Sequence, residues 1–142
     1  MFYPLLNFVG YIFMVTLNYL SVALPLGGMT TQELSDKYAN PFTPIGFTFS
    51  IWSVIYTLLL IFSLVPLVNY FRGKSENNKL VEKNIGYLYA ISCALNGAWI
   101  LAWQYQFVGL SVLVMLGLLV TLIRIHMAIR KNPTGLTWND RY

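Results

Sequence analysis

The stretch NIGYLYAISCALNGAWILAWQYQFVGLSVLVMLGLLVTLI, from Asn84 to Ile123, runs for 40 residues without an Asp, Glu, Lys, Arg or His. As one helix it would extend about 60 Å, twice the roughly 30 Å hydrocarbon core of a bilayer. It must therefore fold back on itself. The break falls most naturally at Gln104-Tyr105-Gln106, where two amides interrupt the apolar run and Gly109 follows. Two spans result, 85–103 and 108–129, joined by a turn so short that they are antiparallel neighbours.

Two more charge-free stretches lie upstream, Met1 to Gln32 and Tyr38 to Phe71. The first holds a span over 5–24, closed by Pro25 and Gly27-Gly28. No Lys or Arg precedes it, so it lacks the basic start of a cleaved signal peptide and reads as a retained span. The second holds a span over 47–70, with Thr48 or Ser50 as N-cap and Arg72-Gly73-Lys74 as the stop. Pro66 predicts a kink or early end around Ser63 to Pro66, because proline removes an internal helix hydrogen bond. The fold class is thus all-α, a polytopic transmembrane bundle of four spans forming a single domain.

Composition agrees. Of the 142 residues, 57% are hydrophobic and 10% charged, against about 25% charged in soluble domains. Too little charge is present to cover a soluble surface. Such hydrophobicity excludes a disordered chain. The nine Lys and Arg flank the apolar runs instead of lining one face, which argues against a nucleic-acid partner. Cys93 is the sole cysteine, so it forms no intrachain disulfide and reads as a packing residue.

Four spans place the N-terminus, the solvated linker Ser75 to Lys83 and the 130–142 tail on one side. That side carries Arg72, Lys74, Lys79, Lys83, Arg130, Lys131 and Arg141; the other carries Lys37 alone. The positive-inside rule then predicts a cytoplasmic N-terminus and an extracytoplasmic 26–47 loop. That loop ends in turn formers mixed with aromatics, from Tyr38 to Phe47, and is expected to fold back on the bundle.

The spans hold no Asp, Glu or Lys in their interiors. Ion-coupled transport usually needs such a group at membrane depth, so a small multidrug exporter is disfavoured. His126 is the single histidine and has no carboxylate near it in sequence, which leaves no catalytic triad and no metal-ligand spacing. Neither catalytic nor metal residues are assigned, and the chain is not expected to be an enzyme. Arg124 and His126, near the end of the last span, read as side chains snorkelling to headgroups.

What remains is aromatic. Phe49, Trp52 and Tyr56 share one face of the second span, and Asn96, Trp99 and Trp103 share one of the third. Such faces can bind a flat apolar ligand by stacking. Equally, Trp103 can belong to an interfacial belt, and Asn96 and Asn18 can bond to neighbouring helices. Gly109, Ser111, Gly117 and Thr121 read as a packing face of the fourth span.

The stretch Thr43-Pro-Ile-Gly-Phe-Thr-Phe-Ser-Ile-Trp-Ser-Val-Ile-Tyr56 resembles the second-helix signature of the TspO/MBR family, the tryptophan-rich sensory proteins related to the translocator protein. Asn96-Gly-Ala-Trp99 resembles that family's Asn-x-x-Trp of the third helix. Asn18-Tyr19-Leu20, Leu24-Pro25, Thr30-Thr31, Ser35-Asp36 and the run from Val114 to Leu119 also fit a longer branch of the family. The resemblance spans nearly the whole chain. It implies a bundle in a bacterial cell membrane that binds a porphyrin, haem-like tetrapyrrole or sterol-like ligand for sensing or transport, with no required cofactor. By position Phe49, Trp52, Tyr56, Asn96, Trp99 and Trp103 would line the cavity. Pro41, Phe42, Pro44 and Phe47 would belong to a lid, and homodimerisation is expected by analogy. A proposed light-driven porphyrin degradation in the family gives no firm enzyme assignment.

The family has a fifth helix, and this sequence reaches Trp138-Asn-Asp-Arg-Tyr142 where the approach to it is expected. On this expectation the chain is truncated or a partner supplies the missing wall. The alternative function is a non-catalytic membrane subunit or scaffold of a permease-like complex.

Overall fold

The computed structural model describes residues 3–24, 26–38, 50–74 and 85–131. Their regular structure is helical throughout. Helix α1 spans Tyr3–Ala23, a 3-10 turn Leu26–Gly28, α2 Thr31–Lys37, α3 Ile51–Phe71, α4 Leu88–Gln104 and α5 Val108–Lys131. The lid residues Pro41, Phe42, Pro44 and Phe47, together with Phe49, lie outside the described residues, as do the linker and residues 132–142 of the tail.

Three of these helices, α1, α3 and α5, are long and apolar enough to cross a membrane, with mean hydropathies of 1.6, 2.3 and 2.4. The fourth expected span, 85–103, is realised as a shorter helix of 17 residues, about 25 Å long. It starts later because residues 85–87 form a turn, with Gly86 at φ 49°. This short helix is the centre of the bundle, packed against α1 on one side and α5 on the other, while α1 also packs on α3.

The expected turn between the last two helices is present. Its hydrogen bonds form a Schellman closure: Gln106 N–H donates to Trp103 O and Phe107 N–H to Ala102 O, both at 2.9 Å. Gln106 sits at φ +60°, where glycine is usual and another residue costs about 1 kcal/mol. The end of α3 closes the same way, with Gly73 at φ +69° and Lys74 N–H donating to Asn69 O. Of the two outcomes expected at Pro66 the early end is not realised, since α3 runs through it to Phe71; Ser50, one of the two expected N-caps, occupies that position without a capping side-chain bond.

The buried residues of α1 are Pro4, Asn7, Tyr11, Met14 and Ser21. With half-buried Asn18 they step by three and four along one stripe, the pattern of a coiled-coil seam. That seam meets α4. Tyr11, Met14, Ile85, Tyr89 and Cys93 form the main core, with Tyr56, Leu59 and Phe62 of α3 and Ile125 and Ile129 of α5 packed around it. Two tyrosines tie α3 in place: Tyr11 Oη donates to Tyr56 O at 3.1 Å and Tyr89 Oη to Leu59 O at 3.0 Å. Cys93 is fully buried there as a packing residue. Most side chains of α3 and α5 face outward and are apolar, as a lipid-facing surface requires.

Candidate functional site

At the end of the bundle opposite the tyrosine core, the loop after α1 docks on α4 through one amide. Gln104 is 2% exposed. Its Nε2 lies 3.1 to 3.4 Å from the carbonyls of Ser21, Leu26 and Met29, and its Oε1 accepts from Thr31 Oγ1 at 3.2 Å. Buried backbone carbonyls must find donors, and here the two N–H groups of one amide are shared among three. Gly27 sits against the same residue. At φ +72°, it approaches so closely that an added Cβ would lie 2.6 Å from Gln104 O. Only glycine meets both conditions.

This docking positions α2, which the sequence reading treated as part of a loop. Its start is a complete capping box: Glu33 N–H donates to Thr30 Oγ1, and Thr30 N–H donates to Glu33 Oε2 at 2.7 Å. The Thr30 N–H, and after it the Thr30 hydroxyl at 2.9 Å from Oε2, hold the Glu33 carboxyl below its ordinary value. Leu34 is buried beneath. At the other end Lys37 Nζ donates to Gln106 Oε1 at 2.8 Å, and the Tyr38 ring lies 6.1 Å from that of Trp103. The strained Gln106 thus anchors the end of α2.

Between α2, α4 and α5 lies a groove of about 360 Å³, lined by Thr31, Ser35, Trp99, Trp103, Ser111, Val112, Met115 and Leu116. That volume is near the lower end for small-molecule sites. Trp99 and Trp103 are one turn apart on α4 and form one wall; α5 supplies the other. Val112 and Leu116 are exposed, so the groove opens along the apolar exterior of α5.

Of the six aromatic and amide residues singled out in the sequence, Phe49 lies outside the described residues and the other five are not all brought together. Trp99 and Trp103 share the groove. Trp52 and Tyr56 stack on each other on α3, ring centroids 5.9 Å apart, and are not among the groove's lining residues. Tyr56 packs on the core. Asn96 Oδ1 accepts from Asn18 Nδ2 at 2.8 Å, a bond between α4 and α1, so of its two readings the interhelical one is realised. Of the small residues on α5, Ser111 and Thr121 are buried and Gly117 faces Leu95. Among the described residues Gly109 meets nothing within 4 Å of an added Cβ, so it does not join the packing face there. The close approach is instead at Gly97, where a Cβ would lie 2.8 Å from Leu17 Cδ1 and 3.2 Å from Phe13 Cε1. Arg124 and His126 are exposed on α5, and among the described residues no three metal-ligating side chains gather.

Sequence reasoning missed Gln104, Gln106 and α2. The signal for α2 was available in Thr30-Thr31-Gln32-Glu33, a capping-box pattern. No curated protein and no solved structure shows significant similarity to the chain. A family model described as TSPO-like protein matches residues 4–142. Helical spans, the aromatic groove and this match over nearly the full length agree, and the chain belongs to the TSPO-like protein family.

Proposed function

We propose that this TspO-type membrane protein binds a flat apolar ligand of porphyrin, tetrapyrrole or sterol-like shape in the groove between α4 and α5, for sensing or transport. The supporting observation is the pair Trp99 and Trp103, one turn apart on a groove wall whose other side is apolar and whose roof is α2. Van der Waals stacking carries the binding, with few hydrogen bonds and no covalent chemistry. The positive-inside distribution supports a cytoplasmic N-terminus, which puts α2 and the groove's roof on the outer face of a bacterial cell membrane. The outward apolar faces of α3 and α5 are compatible with a homodimer.

Titration of a porphyrin into the protein in nanodiscs tests the reading through quenching of tryptophan fluorescence. Saturable quenching is expected, weakened roughly three- to tenfold in Trp99→Phe or Trp103→Phe, since aromatic pairs contribute about 0.5–1.5 kcal/mol. Trp52→Phe is expected to change little. Linear quenching in wild type and variants overturns the proposal. A second reading, a non-catalytic scaffold of a permease-like complex, is favoured by outward-facing Gly109. It requires Gly109→Leu to weaken assembly.

A further inference from the structure

We infer that Lys37, held at one end of the groove by Gln106, is an anion-binding point that receives the carboxylate of an amphipathic ligand whose flat body stacks on Trp99 and Trp103. The inference rests on the ligand-binding reading above and deepens it by naming a specificity-determining residue. Thr31 and Ser35 of α2 line the groove, and Tyr38 falls on the same face, three residues beyond Ser35. Its ring lies 6.1 Å from that of Trp103, and Lys37 Nζ lies 5.7 Å from the Tyr38 ring centroid. Two short steps thus lead from the groove's tryptophan wall to an ammonium.

Gln106 fixes that ammonium in place. Its Oε1 accepts from Lys37 Nζ at 2.8 Å and lies 3.4 Å from Tyr38 Oη. The backbone there is at φ +60°, a conformation that glycine would adopt without strain, but glycine has no amide with which to hold the end of α2. The strained residue and the oriented cation therefore belong together.

Neither holder neutralises the charge, since an amide oxygen and a ring face are both uncharged. Glu33, one turn before Lys37, is turned back to the Thr30 N–H and hydroxyl, and Asp36 is about 100° away around the helix. The chain from Tyr38 to Phe71 contains no Asp or Glu, so the segment that follows α2 brings no carboxylate of its own. An ammonium has three N–H donors and Gln106 takes one, which leaves two on an exposed side chain for an incoming oxyanion. A ligand carboxylate at this point gains a charge-assisted bond while the rest of the molecule stays on the tryptophans. A lipid phosphate offers the same oxyanion chemistry, and the experiment separates the two sources.

A dicarboxylic porphyrin and its dimethyl ester are titrated near neutral pH and low salt into the full chain in phosphatidylcholine nanodiscs, with absorbance of the macrocycle as the readout. Lys37→Met keeps an aliphatic stem and removes the charge. It is expected to weaken diacid binding about fivefold, the upper scale of an exposed ion pair, and to leave the diester within about twofold of wild type. Lys37→Arg should retain most of the diacid affinity, and added salt should erase the difference between wild type and Lys37→Met. Diacid affinity unchanged in Lys37→Met overturns the inference; if that variant also loses phosphatidylglycerol that wild type retains, the ammonium serves a lipid phosphate instead. Equal losses for diacid and diester overturn it as well, because Lys37 then acts by holding α2 and not by its charge. Both results leave the ligand-binding reading standing. Absence of saturable binding for both probes overturns that reading and this inference with it.

Discussion

Helix α4 turns two different faces to its neighbours. Toward α1 it presents Cys93, Asn96 and Gly97, with Gly10 of α1 close enough that its Cβ would lie 3.5 Å from Cys93 Cβ. Toward α5 it presents Leu95, Trp99 and Trp103, and the two helices part into a groove. Small residues let backbones approach, so the first face is sealed by van der Waals contact and one amide bond. Large aromatics hold helices apart, so the second leaves room. The four-residue motif Asn96-Gly97-Ala98-Trp99 therefore serves both, its first half closing a seam and its last residue lining a groove.

Enlarging a glycine on each face should expose this contrast most strongly. Gly97→Val must push Leu17 and Phe13 aside and is expected to cost about 3 kcal/mol, as overpacking of a tight contact does. Among the described residues Gly117→Val meets Leu95 alone, 3.9 Å from its Cβ, and is expected to cost under about 1 kcal/mol. Unfolding of the detergent-solubilised variants in increasing SDS measures both. Equal losses would mean that α5 is held as tightly as α1.

The amide hub comes next. Gln104→Leu leaves the Leu26 and Met29 carbonyls without the amide donor and Ser21 O with Thr31 Oγ1 alone, for an expected loss of about 2 kcal/mol. The loss should be local. Hydrogen exchange should speed up across α2, where Thr31, Ser35 and Leu34 lose their platform, while amides of the Tyr11 and Tyr89 core stay protected. Uniform acceleration would show that the hub supports the whole bundle and not the groove's roof alone.

Across the sealed face, Asn18 and Asn96 invite a double-mutant cycle with leucine at each position. Interhelical hydrogen bonds in membranes average about 0.6 kcal/mol and reach about 1.7. Each single variant should cost more than half of the double, because it strands the other amide in an apolar seam. Strict additivity would place the asparagines in separate environments.

The spans, the fold-back at Gln104 to Gln106 and the burial of Cys93 were legible because each follows from one-dimensional quantities: charge-free length, amide interruption, a lone small thiol. The partition of aromatic residues was not. Trp52 and Trp99 have the same chemistry, and helical periodicity fixes which residues share a face of their own helix without fixing which helix that face meets. Nothing local says that α4 lies between α1 and α5, so Trp52 and Trp99 cannot be separated by spacing. Gln104 was hidden for a related reason. As a turn marker it accounts for its position well enough, and its buried role depends on carbonyls about 75 to 83 residues earlier. Gly97 was read inside a binding motif because its crowding by Phe13 and Leu17 is a tertiary fact.

The smallest expected effect sharpens the same contrast through pH, since α2 roofs the open face and meets the sealed one at its end, where Thr31 bonds to Ser21. The Thr30 donors lower the Glu33 carboxyl below its ordinary 4.5. A group whose folded value is depressed stabilises the fold above its unfolded value and loses that contribution as pH falls through the folded one. Capping of α2 should therefore hold at neutral pH and weaken below about 4.5, the ordinary carboxylate value. Because Glu33 is fully exposed, salt should also damp the effect. Amide exchange of residues 31–37, corrected for its intrinsic pH dependence, measures it. Glu33→Gln keeps a side-chain acceptor for the Thr30 N–H but cannot titrate, so its protection should be flat across this window. If the variant shows the same acid loosening as wild type, the roof is governed by Gln104 and Gln106 and the capping box contributes only local order.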